Sequence, residues 1–370
     1  MVRLFRVLIV STFALGCINP LPAARPSVQQ VLKGFDNPVS CAFSLDGSTL
    51  YVVSSARGEY GWVHGKGAVS KVDVSADGTL AISEQKFTSN LGGPMGIAVL
   101  PVDVGRFSAG TIFVSQGGAW VVDRSGKLIR NSFDLETGVF AIDPSSGQIV
   151  GKFLMGPGSA FSKALGHGVV NPLGLCFDPR GNLYLCDGGS GGRNLAPPID
   201  GKSAIIKIPG GVIEDIAAGR PVGGIEFINV SHVPTTTFWD HLKNGLIVTT
   251  GSGFGPLGGA IFRLPRGDFT VDKGQIETVA QDLTAVTGAF STPRGTFFAT
   301  VTNGEIREVR SKEKYRRVRL RPELYLLSPG SLATKPLPDG RLMVVVTEQA
   351  GGGIADWQQR IQVLMFPPEM

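Results

Sequence analysis

Six times along the chain an apolar run enters a polar turn containing Gly or Pro and returns as a second apolar run. The clearest copy is Asn171-Pro172-Leu173-Gly174-Leu175-Cys176-Phe177-Asp178-Pro179-Arg180-Gly181-Asn182-Leu183-Tyr184-Leu185-Cys186-Asp187. Two strand-length apolar segments around such a turn read as an antiparallel pair, because proline fixes and glycine frees the backbone angles that a tight reversal needs. The other copies start near Asn37, with the turn Leu45-Asp46-Gly47, near Gly93-Pro94, at Pro234, at Val286 with Pro293-Arg294-Gly295, and near Leu332 with Pro338-Asp339-Gly340. The starts lie on average about sixty residues apart, which is room for a four-stranded sheet and its loops.

Third strands are expected at 68–72, 139–142, 204–208, 260–264, 305–309 and 361–366. A sheet that is apolar on both faces does not hold its fold alone, so neighbours must stack and the last must meet the first. After its third strand the sixth copy has no residues left for a fourth, whereas the run 28–35 stands before the first copy and can serve as that outer strand. The expected fold class is all-β: a six-bladed β-propeller of four-stranded blades, closed by an N-terminal outer strand, with 25–370 forming one domain.

Residues 1–24 read differently. Arg3 and Arg6 precede an apolar stretch from Val7 to Leu15 and then small residues and prolines, the pattern of a signal peptide. The expected location is secreted or periplasmic. Ala14-Leu15-Gly16-Cys17 also resembles a lipoprotein processing site, and a lipid on Cys17 would give a membrane-tethered form as the alternative. No later stretch is apolar for the twenty or so residues of a transmembrane helix. With Cys17 removed, Cys41, Cys176 and Cys186 remain, an odd number read as free thiols; direct pairing of their strands sets Cys176 opposite Tyr184, not Cys186.

The formal charge of +5 is modest and dispersed, so nucleic acid is not an expected partner. Its one concentration lies between Glu305 and Glu323, where eight basic residues face four acids. Arg317-Val318-Arg319-Leu320-Arg321 reads there as an outer strand whose exposed charges keep sheet edges of different molecules apart.

From residue 28 to 367 the chain resembles the NHL-repeat and gluconolactonase-like group of six-bladed propellers, most clearly at 171–187. That group includes calcium-dependent lactonases and phosphotriesterases, strictosidine-synthase-like proteins and NHL proteins that bind partners, so the resemblance leaves the function open. Its metal-dependent members place a Glu, one or two Asn and an Asp or His around the axis, at the upper ends of the innermost strands. Here the corresponding slot is Leu173, and the same offset gives Val39, Met95, Thr235, Val286 and Leu332, too few oxygens for Ca²⁺. Asn37-Pro38-Val39 stands where many lactonase relatives have Glu-Gly-Pro. The segment Gly166-His167-Gly168-Val169-Val170-Asn171-Pro172 is similar to one in quinoprotein glucose/sorbosone dehydrogenase-like propellers but lacks its arginine, and it carries no cofactor assignment.

Two functions follow. The first is a secreted or periplasmic propeller that binds a protein partner or small ligand through the loops of its upper face, expected at 54–67, 116–138, 155–170, 188–202, 251–259 and 348–357, with 155–170 and 188–193 as the recognition region. The alternative is a Ca²⁺-dependent hydrolase with Asn171 and Asp187 as metal ligands and Asp187, His232 and His167 as catalytic groups. His64 belongs to the same face, whereas His241 falls in a turn on the opposite one. No nucleophile elbow, Walker loop, zinc-protease helix or haem-attachment phrase is present.

Overall fold

The computed structural model describes residues 25–56, 62–63, 65–117, 121–122, 136–166, 168–189, 203–220, 222–229, 233–251, 259–269, 276–301, 303–319, 326, 329–349 and 359–370. The leader, Cys17, His64, His167 and His232 lie outside the described residues.

Six four-stranded antiparallel sheets follow one another along the chain. From the inner to the outer strand, blade 1 is Pro38–Phe43, Thr49–Ser54, Gly67–Val74 and Leu80–Leu91. Blade 2 is Pro94–Val99, Ile112–Gln116, Gly138–Ile142 and Ile149–Leu154. Blade 3 is Pro172–Phe177, Leu183–Asp187, Ala204–Ile208 and Glu226–Asn229. Blade 4 is Val233–Asp240, Gly245–Gly251, Gly259–Pro265 and Glu277–Leu283. Blade 5 is Val286–Ser291, Phe297–Val301, Glu305–Ser311 and Lys314–Arg317. Blade 6 takes Pro329–Pro336, Leu342–Glu348 and Arg360–Phe366 from the end of the chain and Ser27–Lys33 from its beginning. Each inner strand packs against those of its two neighbours, and the sixth meets the first, so the sheets form a closed six-bladed β-propeller.

Strand periodicity explains why the second strands are apolar throughout. Successive side chains point to opposite faces, and here both faces are covered. Leu50 and Val52 enter the cluster shared with Met343 and Val345 of blade 6, while Tyr51 and Val53 enter the one shared with Ile112 and Val114 of blade 2. The described core divides in this way into six clusters, one for each junction between blades. The N-terminal strand adds two anchors to its ladder on Arg360–Phe366: Val28 packs on the junction of blades 5 and 6, and Leu32 on that of blades 6 and 1. Gln30 also bridges to the outer strand of blade 1, its amide donating to the Leu80 carbonyl at 2.8 Å and accepting the Leu80 N–H at 2.9 Å.

Two departures from the sequence reading have local causes. The outer strand of blade 5 is Lys314–Arg317, not 317–321: a two-residue turn at Lys312-Glu313 pairs Ser311 with Lys314, so the return begins early. Val318 then buries its side chain beside Phe290 and Phe298, which takes the chain out of the edge. Much of the basic run is paired internally, Glu305 with Arg307 and Arg317, and Glu308 with Arg310 and Arg316. Blade 3 also carries an unexpected helix, Gly210–Ala217, whose Ile213 and Ile216 bury against the junction of blades 2 and 3.

Turns on several blades are fixed by a carboxylate that folds back on its own loop. Asp46 accepts the Ser44 hydroxyl at 2.6 Å and the Ser48 N–H at 3.0 Å, Asp77 accepts the Ser75 hydroxyl and the Thr79 N–H, and Asp143 accepts the N–H groups of Ser145 and Ser146. Bonds of this kind favour the charged form, and the three carboxyls are lowered to about 2. Because their folded values lie below the ordinary 3.8, their contribution is complete above that value and is lost as the pH falls towards 2. Thermal melts of the wild type are expected to decline between about pH 4 and pH 2, and an Asp46→Asn, Asp77→Asn, Asp143→Asn variant to decline less steeply there. Parallel declines would assign acid sensitivity to other groups.

Candidate functional site

Every inner strand begins with a β-bulge. The register against the second strand slips at Pro38/Ser40, Pro94/Ile97, Pro172/Leu175, Pro234/Thr236, Val286/Gly288 and Pro329/Leu332. Five of the six slips start at a proline or at the residue paired just before it, a position where the missing N–H costs no ladder bond. Bulges re-aim side chains, and these place Val39, Met95, Leu173 and Thr235 around a cavity of about 130 Å³ at the upper end of the axis.

The expected axial residues of blades 5 and 6 need correction. Val286 is fully buried between blades 4 and 5, while Leu332 sits below the constriction, where it lines the axis and also packs against the junction of blades 5 and 6. Thr287 and the Gly330-Ser331 pair line the upper cavity instead. The slip is one residue in blade 5 and one or two in blade 6, so the constriction carries more hydroxyls than the offset implies.

Hydroxyl bonds brace these bulges across blade junctions. Ser115 donates to the Leu173 carbonyl at 2.6 Å, Thr235 to Val286 at 2.7 Å and Thr347 to Val39 at 3.1 Å. Glycine is required at one such contact: a Cβ on Gly174 would lie 2.5 Å from Thr236 Cα. Below the constriction the axis widens into a cavity of about 590 Å³, and Ser40, Gly174, Thr236 and Ser331 are walls of both chambers. The lower chamber opens among the first-to-second-strand turns, where His241 and Leu242 are exposed at its rim. In every sheet the inner strand has a strand partner on one side only, so backbone donors and acceptors alternate with side chains such as Ala42, Val99 and Leu175 along the wall.

The charged groups near this wall are held in one ion-pair cluster. Asp240 gives one carboxylate oxygen to the Leu242 N–H at 3.0 Å and the other to Arg263 at 3.2 Å, and Arg263 reaches Glu277 at 2.5 Å. Cys41 and Cys176 also line the chamber, each pushed up to about 12 by burial, so both stay protonated thiols at neutral pH. The three described cysteines are free, and Cys176 pairs with Tyr184 in the ladder as the strand spacing requires.

The structure brings Asn171 and Asp187 together, in a loop clamp. Asp187 is fully buried at the end of its strand, and its Oδ1 accepts N–H groups from Asn171 at 2.8 Å, Gly189 at 3.0 Å and Val170 at 3.2 Å. The Asn171 carbonyl accepts the Gly188 N–H at 2.8 Å in return. Blade 2 uses the equivalent position similarly, with Gln116 accepting the Gly92 N–H at 2.9 Å. In blade 6 that position is Glu348, buried and paired with Arg360, a pair the sequence reading missed although both residues flank apolar strand runs.

The donors at the axis do not fit the Ca²⁺ that the family resemblance implies. The described upper constriction offers threonine and serine hydroxyls and the Gln349 amide but no carboxylate, whereas Ca²⁺ takes six to eight oxygens, several of them charged. Among the described residues no three His, Cys, Asp or Glu side chains are grouped to hold a metal.

No family model matches the chain, and no curated protein does. Solved structures do. A gluconolactonase from Xanthomonas campestris aligns at a TM-score of 0.52 and 12% identity, covering 92% of this chain and 95% of its own. The PQQ-bound aldose sugar dehydrogenase of Streptomyces coelicolor aligns at 0.52 and 18% identity, covering 93% and 98%. A protein of unknown function from Dyadobacter fermentans aligns at 0.54 and 10% identity, covering 92% and 97%. The chain shares the gluconolactonase-like six-bladed fold. At these identities the likeness is one of architecture, and the propeller's chemistry has to be read from its own residues. Among those described, no helix of this propeller is long and apolar enough to cross a membrane.

Proposed function

We propose that this propeller is an exported binding protein that takes a small, uncharged ligand of mixed polarity into its axial channel. The observation that carries this reading is the lower chamber of about 590 Å³, within the size range of small-molecule sites, whose wall alternates apolar side chains with unpaired strand edges. The ion pair that holds Asp240 and the protonated thiols of Cys41 and Cys176 support binding in preference to acid–base or nucleophilic chemistry there. The alternative, a Ca²⁺-dependent hydrolase, has no support from the described axial donors. Export rests on the pattern of residues 1–24.

Because two fold relatives carry a sugar or sugar lactone in their names, aldoses and aldonolactones form the first probe panel for calorimetric titration. At least one is expected to bind saturably. Ser331→Phe, which fills a wall common to both chambers, is expected to weaken that binding more than tenfold while the protein still melts cooperatively. Absence of binding across the panel, or equal affinity in the plugged variant, would overturn the channel reading.

A further inference from the structure

We propose that the cleft between the lower turns of blades 3 and 4 is a second site, for a small molecule bearing a phosphate or carboxylate. The proposal does not depend on what the channel binds. The cleft has a volume of about 640 Å³ and is bounded by the Asp178-Pro179-Arg180 turn, Asn244 and the Arg266-Gly267-Asp268 turn, with Tyr184 and Trp239 in its wall.

Its charges are unequally matched. Asp178 is occupied by its own turn, its Oδ1 accepting the N–H groups of Arg180 and Asn182 at 2.9 Å and its Oδ2 the Asn182 amide at 2.7 Å. Asp268 also has a partner, and Lys207 lies 3.4 Å from Glu226. The guanidinium groups of Arg180 and Arg266 make no ion pair among the described residues. In the first-to-second-strand turn of blade 6, by contrast, Arg341 rests on Asp339 at 2.6 Å. Two unmatched guanidiniums lining one cavity favour an oxyanion, whose geometry matches their forked donors.

The backbone fixes one of them in a tight turn. Arg266 has a φ of 55° and Asn244 a φ of 46°, and the Arg266 N–H bonds the Asn244 carbonyl at 2.9 Å. Arg266 and Gly267, at φ 55° and 57°, are the central residues of a tight turn closed by the Asp268 N–H on the Pro265 carbonyl at 3.1 Å, and this sets where the Arg266 side chain leaves the backbone. The next residue fixes the turn against the aromatic wall, since a Cβ on Gly267 would lie 2.2 Å from the Tyr184 hydroxyl oxygen. Trp239 closes the wall with its ring edge, since the same Cβ on Gly267 would lie 2.9 Å from Trp239 Cζ3. Two guanidiniums with no ion pair among the described residues line one cavity, one of them on a turn held against the aromatic wall, the pattern of a preorganised anion site.

The test is calorimetric titration of the protein with inorganic phosphate and with gluconate, in low salt. One or both are expected to bind at one per chain, with affinity falling as NaCl rises and no displacement by excess glucose. Saturation by phosphate alone assigns a phosphorylated ligand, and by gluconate alone a carboxylate. Arg180→Ala and Arg266→Ala are each expected to weaken binding at least tenfold. Arg266→Gly suits the left-handed backbone, so it is expected to keep or raise the melting temperature while losing the anion, which separates recognition from folding. Ser331→Phe should leave anion binding unchanged, so failure here and failure of the channel reading are distinguishable. Failure of both anions to bind, or undiminished binding in Arg266→Gly, would overturn the proposal.

Discussion

Removing residues 25–33 is expected to abolish cooperative folding, the largest effect foreseen for any change to this chain. The segment supplies the whole outer strand of blade 6, from Ser27 opposite Met365 to Lys33 opposite Arg360. Without it, Arg360–Phe366 becomes an open edge whose Ile361, Val363 and Leu364 are otherwise fully buried. Val28 and Leu32 leave two junction clusters at once, and the Gln30 clasp on Leu80 is lost, so the damage reaches blade 1 as well. An unpaired apolar edge is also a template for association between molecules. The truncated chain should therefore elute as aggregates in size-exclusion chromatography, and a peptide of residues 25–35 added during refolding should recover part of the monomer. Gln30→Ala tests the clasp alone, with an expected cost of about 1–2 kcal/mol. A truncated chain that melts within about 3 °C of the parent would mean that the ring is held shut by blade packing alone.

Closure of this kind is legible in the sequence because it depends on bookends: a sixth repeat with no fourth strand and an apolar run standing before the first. Strand pairing is legible for a similar reason, since Pro172 to Asp187 has a regular turn and two runs of matching length, and its ladder follows. What escapes is set by single-residue slips. The bulge moves the axial role from Val286 to Thr287, and no periodicity distinguishes the two, because Val286 is equally suited to the core it enters. The early turn at Lys312-Glu313 shifts the basic edge strand for the same reason, as alternating charges fit either register. Asp187 is legible as a carboxylate ending a second strand, whereas the three N–H groups that its Oδ1 accepts come from chain folding that no strand period announces.

That occupation predicts a role for Asp187 that differs from metal binding in a measurable way. Replacing it by Ala removes the common acceptor of Val170, Asn171 and Gly189 in a site with no exposure to solvent. Each stranded buried donor costs about 1–3 kcal/mol, and relief of the buried carboxylate's own desolvation offsets part of the sum, so a net loss of about 4 kcal/mol is expected. Asp187→Asn retains one acceptor oxygen and should fall between the two. The expected order of melting temperatures is wild type, then Asp187→Asn, then Asp187→Ala, with added Ca²⁺ shifting none of them. A metal ligand would add a second signature: Ca²⁺ would raise the wild-type melt by mass action, and the rise would vanish in Asp187→Ala and Asn171→Ala. The two roles therefore separate on the response of the melting temperature to added Ca²⁺, a quantity that needs no knowledge of any organic ligand.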